Sequence, residues 1–592
     1  MLFLPTLLRG SARLKLFLLL LMALGPASLR AQAPAFAWAT PCASFNTAVN
    51  SSQTSARGPT SMAVDVLGQV YVAGSFTETV TLGTTTLTSS GLSDAFVAKL
   101  DASGRYLWAV AVGGAGNDGA AAVAVDALGQ AYVTGGFTSY SVDFGSQRLF
   151  NSSASSEAFV AALDAQGNWR WAHRAGGTGG ESGLSLVVEP DGDLLLAGGF
   201  TSAAADFGST TLTNAGSSVY ADVFVARLEG ASGAWRWAQR GGGTRSEIVG
   251  QLCSDGQGHA WLGGSYSSQP AQFGATALPA NPTGRGNLAV ADQAFVAEFN
   301  TQTGAWTWAT HGGAESGPLG GTSDCRVLAF DGMGGLYLAG SFNSATSRFG
   351  AHALSNRGPV ASNGTFSYYT SEAYVARLDV ASRTWSWARR LGSDTYDYLY
   401  GIVAGPQGSV VVAGRFEGPA LSFDGSPLTL THATSGYALL AQLDGTTGTW
   451  QWARGTAPSE GPFIATLASN AAGELYLAGF YNAPTTLGPT VLQPVAGQYA
   501  TGFVAKLSSA PLAAHPAQRG PAFAVWPNPA QGEVWLSGLP PGQTVQLHDA
   551  LGRPLLRART PGSGPLRLPL ALPAGVYLLR SPGYLAQRLL VE

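Results

Sequence analysis

The sequence is poor in charged residues and in residues that bind metals or form disulfides. Only 11% of its 592 residues are charged, and it has three cysteines and seven histidines. With a net charge of −3, it lacks the basic face that a nucleic-acid-binding protein needs to displace phosphate counterions. Cys42, Cys253 and Cys325 are odd in number and show no Cys-x-x-Cys or Cys/His metal spacing. We expect buried, structural cysteines, no disulfide framework and no nucleic-acid partner.

The N-terminus has the pattern of a secretory signal peptide. Arg9, Arg13 and Lys15 precede the apolar run LFLLLLMALG, and small residues follow near Ala31 and Ala33. The run is too short for a comfortable membrane span. We expect residues 1–33 to be a signal peptide and the mature chain to leave the cytoplasm without a transmembrane segment. A retained N-terminal anchor is the alternative.

Three short phrases recur seven times along the chain, at spacings of about 60 to 80 residues. One resembles YVAGSF, beginning at Tyr71, and one resembles FVAKL, beginning at Phe96. The third is a Trp-Ala pair, found at Trp38, Trp108, Trp171, Trp237, Trp308, Trp387 and Trp452. Each copy carries four short runs rich in Val, Ala, Leu and aromatic residues, bounded by Gly, Asp or Asn, which is typical of β-strands and hairpins.

Four strands repeated seven times predict an all-β fold, a seven-bladed β-propeller over residues 35–507. The last copy lacks a fourth strand, whereas one Trp-Ala strand, residues 35–40, precedes the first copy. We expect this N-terminal strand to pair with residues 503–507 and close the ring, which removes exposed sheet edges.

Two smaller patterns support this assignment. A D-x-x-G spacing, as in Asp65/Gly68, precedes most YVAGSF phrases and suits a hairpin turn, although acids could also ligate a metal. Tryptophans two residues apart, as in Trp169 and Trp171, suit an apolar core between adjacent blades. An exposed aromatic row for stacking sugars would have the same sequence pattern.

The order of these motifs, AVD..G..YV.G.F...FG....L...FVAKLD..G....WA..GG, resembles the SBBP-type β-propeller repeat of bacterial secreted proteins. The resemblance covers roughly residues 35–507 and supports the fold. It implies no catalytic residues.

A Pro/Ala-rich stretch, residues 508–522, predicts a linker, and residues 523–592 predict a small β-sandwich. Its motifs WPNP, LGR and LPAGVYLL, with a closing LLV, are similar to the type A C-terminal sorting domain of the type IX secretion system in Bacteroidetes. The resemblance implies export by the type IX machinery, followed by attachment to surface lipopolysaccharide or release. A passive carbohydrate-binding or scaffold sandwich is the alternative. The residues that carry the match are Trp526, Pro527, Asn528, Pro529, Gly552, Arg553, Gly575, Tyr577 and Arg588.

Four acids recur eight residues before the first position of the D-x-x-G turn, at Asp118, Glu181, Glu247 and Asp397. At the start of the innermost strand, their carboxylates should ring one mouth of the channel. They could bind Ca²⁺ through oxygen ligands or accept backbone N–H bonds as a repeated structural latch. Because they recur with the repeat, we favour the latch.

A ligand-binding site is predicted where the repeat is interrupted by longer loops. The fourth copy contains PANPTGRGNLAVADQA and the fifth SNRGPVASNGTFSYYTSEA, at the same loop of adjacent blades. Their donors and aromatic faces suit glycan or protein contact, although a plain surface insertion is the alternative. The predicted binding residues are Arg285, Asn287, Arg357, Asn363, Phe366, Tyr368 and Tyr369.

Catalytic motifs are missing from the sequence. The histidines do not recur at one repeat position, and no H-E-x-x-H, G-x-S-x-G or phosphate-binding loop occurs. The sequence therefore favours a non-catalytic binding or adhesion protein, secreted or on the outer-membrane surface, whose partner is a glycan or surface protein. The alternatives are a polysaccharide hydrolase or lyase, which needs non-repeated acids or histidines at the channel, and a structural surface-layer component.

Overall fold

The structure is a computed structural model. It describes residues 33–45, 58–279, 292–315, 321–362, 367–405, 408–426, 428–431, 437–455, 462–508, 523–549, 554–573, 575–581 and 587–591. These residues form β-strands and turns, and within them no helix has the length and apolar character needed to cross a membrane. The predicted signal peptide and linker lie outside the described residues, except for residues 33 and 508.

The described residues of the repeat region form forty-four strands. Strand β1 (Phe36–Phe45) comes first, and the others fall into seven consecutive units. Unit 1 contains β2 (Gly58–Val64), β3 (Val70–Phe76), β4 (Thr79–Leu82), β5 (Thr85–Thr88), β6 (Asp94–Leu100) and β7 (Tyr106–Val112). Unit 2 contains β8 (Asp118–Val125), β9 (Ala131–Phe137), β10 (Ser141–Phe144), β11 (Gln147–Phe150), β12 (Glu157–Leu163) and β13 (Trp169–Gly177). Unit 3 contains β14 (Glu181–Val188), β15 (Leu194–Phe200), β16 (Ala204–Phe207), β17 (Thr210–Thr213), β18 (Asp222–Leu228) and β19 (Trp235–Gly241).

The remaining units follow the same plan. Unit 4 contains β20 (Glu247–Ser254), β21 (His259–Tyr266), β22 (Ala271–Phe273), β23 (Thr276–Leu278), β24 (Gln293–Asn300) and β25 (Trp306–Ala314). Unit 5 contains β26 (Val327–Phe330), β27 (Gly335–Phe342), β28 (Thr346–Phe349), β29 (His352–Ser355), β30 (Val360–Ser362), β31 (Ser367–Tyr369), β32 (Glu372–Asp379) and β33 (Thr384–Gly392). Unit 6 contains β34 (Asp397–Ala404), β35 (Ser409–Phe416), β36 (Ala420–Phe423), β37 (Thr429–Thr431), β38 (Tyr437–Asp444) and β39 (Trp450–Gly455). Unit 7 contains β40 (Phe463–Ser469), β41 (Leu475–Tyr481), β42 (Thr485–Leu487), β43 (Thr490–Leu492) and β44 (Ala500–Leu507).

Each unit is built on four antiparallel strands, for example β14-β15-β18-β19 in unit 3. The two middle strands, such as VYVAGSF and DAFVAKL in unit 1, are buried along their whole length. A strand covered on both faces needs an unbroken apolar run, which is why these two phrases recur. The first strands, which we call the inner strands, contact one another in cyclic order from unit 1 to unit 7, and unit 7 contacts unit 1. The repeat region is therefore a β-propeller-like ring of sheets.

The hydrophobic core lies between the units. Seven apolar clusters each combine residues of two consecutive units, including units 7 and 1. The tryptophans add hydrogen bonds: Nε1–H of Trp171 in unit 2 donates to the Gly230 carbonyl of unit 3 at 3.0 Å. The other tryptophan of the same pair, Trp169, packs on Phe144 of its own unit, with ring centroids 4.9 Å apart. The predicted inter-blade core is confirmed, and the two tryptophans contribute to it differently.

Strand β1 completes the sheet of unit 7. It pairs antiparallel with β44, with Phe36 opposite Leu507 and Thr40 opposite Val504, as the sequence predicts. Its tryptophan reaches unit 1, where Trp38 Nε1–H donates to the Ala102 carbonyl at 3.1 Å. The last unit thus takes its outer strand from the beginning of the chain.

The turn chemistry follows the D-x-x-G prediction. Asp65 Oδ1 accepts the N–H groups of Leu67 and Gln69 at 2.9 and 2.8 Å. Gly68 takes a φ of 76°, a conformation that glycine adopts without steric cost. The acid therefore shapes the hairpin between the first two strands of the unit.

The C-terminal region forms two small antiparallel sheets around one apolar cluster. Their orders are β45-β46-β49 and β48-β47-β50-β51. The strands are β45 (Ala524–Trp526), β46 (Glu533–Ser537), β47 (Thr544–His548), β48 (Pro554–Arg559), β49 (Leu566–Pro569), β50 (Gly575–Arg580) and β51 (Gln587–Val591).

Candidate functional site

Most of the predicted loop site lies outside the described residues. Arg285, Asn287, Asn363 and Phe366 lie outside the described residues, and so does the side chain of Tyr368.

The two described members of that site belong to the unit 5 loop. Tyr369 is half-buried and lies opposite Val360 in the β30–β31 hairpin. The backbone N–H of Arg357 donates to Glu372 Oε1 at 2.8 Å, and its guanidinium lies 3.4 Å from Asp424 Oδ1. These contacts anchor the start of the loop, although the Arg357 side chain stays 65% exposed.

The four recurring acids are buried at the first residue of an inner strand. Asp118 accepts the Gly114 N–H at 2.8 Å, from the segment that follows unit 1. It also accepts the N–H and Oγ–H of Ser139 at 3.1 and 2.5 Å, from unit 2. Equivalent donors are Gly177 and Ser202 for Glu181, Gly243 and Ser268 for Glu247, and Ser393 for Asp397. Each carboxylate ties the end of one unit to the start of the next.

Each of these acids has a second buried acid as its neighbour, which the sequence analysis missed. The neighbour opens the third main strand of the preceding unit, and the pairs are Asp94/Asp118, Glu157/Glu181, Asp222/Glu247 and Glu372/Asp397. Burial raises the pKa of Glu247 to about 7, and the charge of Asp222 adds to the effect. Burial likewise raises the pKa of Asp397 to about 7, with Glu372 contributing.

The surroundings of these acids match the latch interpretation. Their oxygens accept bonds from backbone N–H and serine hydroxyl groups, which are the partners that buried carboxylates require. Among the residues that the structure describes, no group of three or more His, Cys, Asp or Glu side chains is placed to hold a metal ion. The Ca²⁺ interpretation stays an untested prediction.

The inner strands enclose a central cavity. One cavity of about 260 Å³ is lined by residues of all seven inner strands and of the segment just before β26. In six units, the inner strand has a bulge residue that faces this cavity, and Arg326 takes the same place in unit 5. We call these positions the channel row: Thr60, Ala121, Leu184, Gly250, Arg326, Tyr400 and Ala465.

A larger cavity of about 430 Å³ adjoins the first, in units 4, 5 and 6. It shares Gly250, Arg326 and Tyr400 with the channel row. Asp292, the residue just before β24 at the end of the long unit 4 loop, also lines it. We take this cavity, which we call the Arg326 pocket, as the candidate functional site. Its volume falls in the range of small-molecule sites.

Arg326 is held firmly inside the pocket. Its Nε–H donates to Asp324 Oδ2 at 2.8 Å, and Asp324 Oδ1 accepts the Ser341 N–H at 2.7 Å. The guanidinium carbon lies 5.0 Å from the ring centre of Tyr398 and 5.4 Å from that of Tyr400, within cation–π distance. The ring of Tyr400 is in turn 4.7 Å from that of Phe463.

Asp292 supplies an acceptor to the same pocket. It is half-buried, and no side-chain or backbone donor of the described residues reaches its carboxylate. Burial raises its pKa, and the nearby charge of Asp324 adds to the shift. The pocket therefore offers a guanidinium donor and a carboxylate acceptor, beside the apolar side chains of Ile248 and Val249.

This pocket was not predicted from the sequence, because the histidines and the acids do not mark its position in the repeat. The informative signal was an arginine and a tyrosine at a position that is small or aliphatic in the other units. Finding it requires aligning the inner strands on their bulges, and the Ser-Asp-Cys-Arg segment before β26 departs from the repeat there.

The sorting residues are placed in part. Trp526, Pro527, Asn528 and Pro529 precede β46, and Asn528 Oδ1 accepts the Leu590 N–H of β51 at 2.8 Å. In β50, which begins at Gly575, Tyr577 is buried and its hydroxyl donates to the Pro573 carbonyl at 2.7 Å. Gly552, Arg553 and the side chain of Arg588 lie outside the described residues.

No family model and no curated protein matches the sequence. Among solved structures, the chain is similar to quinohemoprotein alcohol dehydrogenase from Comamonas testosteroni, with 10% identity over 81% of this chain and 77% of that chain and a TM-score of 0.39. The Dos1 propeller shares 9% identity over 79% and 95%, with a TM-score of 0.36. A protein of unknown function from Dyadobacter fermentans shares 9% over 66% and 94%, with a TM-score of 0.32. Likenesses this distant carry no inference about ligand or activity.

Proposed function

We propose that the protein is an exported, non-catalytic binding or adhesion protein built on a seven-bladed β-propeller. Seven four-stranded units in cyclic contact, with β1 in the seventh sheet, support this architecture. The observation that carries the binding function is the Arg326 pocket, because it lies where two large polar side chains, Arg326 and Tyr400, interrupt the channel row. Ligand sites are concave surfaces with a few converging polar groups.

The binding function is tested with the full chain on an array of glycans and extracted surface proteins, beside an Arg326→Gln variant. We expect selective retention of one ligand class by the wild-type protein and weaker retention by the variant. Equal signals on all ligands, or none, from a protein with an intact thermal transition would contradict the proposal. A ligand that is turned over would favour the enzyme alternative.

The enzyme alternative would have to use the carboxyl groups of Asp292 and Asp324, since both line the pocket. A typical glycoside hydrolase uses two carboxyl groups, one as a general acid and the other as a base or nucleophile. Asp324 accepts bonds from both Arg326 and Ser341, so it acts as a support for the guanidinium. One uncommitted carboxyl group is left, and this favours binding without catalysis.

We propose that the C-terminal region is a β-sandwich that directs the chain to the type IX secretion machinery. Residues 1–33 would serve as the signal peptide. Two sheets around one cluster suit a sandwich, and the bond from Asn528 to β51 ties the WPNP segment to the last strand. The protein would then reside on the outer-membrane surface or be released.

Export is tested by deleting residues 523–592 in a host that has the type IX system. We expect the truncated chain to accumulate in the periplasm, while the full chain reaches the cell surface or the medium. Surface delivery of the truncated chain would contradict the sorting role without affecting the binding proposal.

A further inference from the structure

The Arg326 pocket contains the one charged residue of the channel row. The other positions hold Thr, Ala, Leu, Gly, Tyr and Ala, so the array around the cavity is neutral except in unit 5. A guanidinium that only stabilised the repeat would be expected to recur with it. Arg326 occurs once, next to the other interruption, Tyr400.

The guanidinium has donors to spare. The Nε–H is bonded to Asp324, and the plane is held beside two tyrosine rings. Within the described residues, no acceptor bonds to Nη1 or Nη2, and the Arg326 side chain is 35% exposed. Two N–H groups in a fixed plane match the two oxygens of a carboxylate. Because the bond to Asp324 and the rings already orient the group, little side-chain entropy is lost when a ligand binds.

The rest of the pocket sets further limits on the ligand. Asp292 presents an acceptor without a donor among the described residues, which suits a ligand hydroxyl group. Thr322 and Ser265 add hydroxyl groups to the lining, and Ile248, which is 54% exposed, adds an apolar edge. Two carboxyl groups near one guanidinium disfavour a dianion such as phosphate, and the guanidinium disfavours a cation.

We infer that the Arg326 pocket binds a carboxylate flanked by hydroxyl groups, with the carboxylate on the free Nη groups of Arg326 and a hydroxyl group on Asp292. A uronic acid residue of a polysaccharide has this chemistry, and so does a free polyhydroxy acid. The inference rests on the proposed binding function and specifies its ligand.

The test is calorimetric titration of the full chain with methyl galacturonoside, methyl galactoside, gluconate, acetate and inorganic phosphate. The uronoside should bind at least about tenfold more tightly than the galactoside, since its carboxylate adds charge-assisted hydrogen bonds to the guanidinium. Arg326→Gln should abolish this preference. Arg148→Gln, which removes an exposed arginine of the β10–β11 hairpin paired with Asp143, should keep it.

The choice of probes distinguishes a polysaccharide ligand from a free acid, and both from results that contradict the inference. Tighter binding of the uronoside than of gluconate identifies a polysaccharide, and the reverse identifies a free acid; both support the inference. Equal binding of uronoside and galactoside, tighter binding of acetate or phosphate, binding of no probe, or an unchanged preference in Arg326→Gln overturns it.

If Arg326→Gln does not fold, the ratio of uronoside to galactoside affinity in the wild-type protein still tests the inference. Selective array binding to a neutral glycan or a protein would overturn this inference and leave the proposed function standing. An empty array would overturn the proposed function itself.

Discussion

The carboxyl groups of Asp222 and Glu247 meet at Gly242, where unit 3 ends and unit 4 begins. A Cβ atom at Gly242 would lie 2.5 Å from Asp222 Oδ1 and 2.3 Å from Glu247 Oε2. Asp222 Oδ1 receives no N–H or hydroxyl bond from the described residues, and Glu247 is the hydrogen-bonding group beside it. A proton on Glu247 satisfies that oxygen, so the pair is most stable when it holds one proton.

This pair predicts that the free energy of unfolding falls as the pH rises from about 4.5 to about 7. Burial raises the pKa of Glu247 from 4.5 to about 7, so between these values the folded state binds more protons than the unfolded state. The contribution is complete below pH 4.5 and is lost by about pH 7. At about 1.4 kcal/mol per pKa unit, the rise from 4.5 to about 7 corresponds to a change on the order of 3–4 kcal/mol. The amide of a Glu247→Gln variant donates a hydrogen bond at any pH because it does not titrate. The variant should therefore show a weaker pH dependence of stability and be more stable than the wild type at pH 8.

Urea unfolding of both proteins at pH 5 and pH 8 measures this effect. Glu417→Gln, which changes a partly exposed glutamate paired with Arg415, is the control and should keep the wild-type dependence. A Glu247→Gln protein with the same pH dependence as the wild type would show that the pair does not retain a proton.

The second prediction concerns Gly113, which lies against the carboxyl group of Asp94 at the boundary between units 1 and 2. A Cβ at Gly113 would be 2.3 Å from Asp94 Cγ and 2.4 Å from its Oδ1. Gly113→Ala should therefore destabilise the fold by about 2 kcal/mol, as overpacking does. At Gly119, the nearest atom to a new Cβ is Ser75 Cβ at 3.6 Å, so Gly119→Ala should change stability by less than about 0.5 kcal/mol. Equal melting temperatures for the two variants would contradict the crowding argument.

The third prediction compares two tryptophans at equivalent positions. Trp171 Nε1–H donates to the Gly230 carbonyl, whereas the buried Nε1–H of Trp237 has no acceptor among the described residues. Phenylalanine removes the indole N–H at both sites. Trp171→Phe should cost about 1–2 kcal/mol more than Trp237→Phe, because it leaves a carbonyl without its donor. Thermal unfolding of both variants checks this, and a larger loss at Trp237 would refute it.

The sequence was most informative where one residue decides a local structure. Asp65 and Gly68 specify a turn, the first by accepting backbone N–H bonds and the second by its positive φ. The single strand around Trp38 is recognisable because the seventh copy of the repeat lacks a fourth strand. Both predictions are confirmed by the hydrogen bonds and strand register.

Features that depend on packing between units were not visible in this way. Asp222 and Glu247 are 25 residues apart in the sequence, and each has the pattern of an ordinary strand-end acid. Only the packing of unit 3 against unit 4 shows that their carboxyl groups lie next to each other. Arg326 was hidden for a related reason, since its equivalence to Gly250 and Tyr400 depends on the position of strand bulges.

The fourth prediction tests ring closure by β1. Ala39 and Ala43 are buried, and Trp38 and Thr40 bond to the carbonyls of Ala102 and Gly104. Deleting residues 1–45 should leave β44 as a free edge, lower the melting temperature by several degrees and cause concentration-dependent association, because an unpaired edge accepts strands from other molecules. A synthetic peptide of residues 33–45 should restore the monomer and its melting temperature, and the same peptide with Ala43→Asp should not, since it would bury a charge. A monomeric deletion variant with the wild-type melting temperature would mean that the ring is stable without β1.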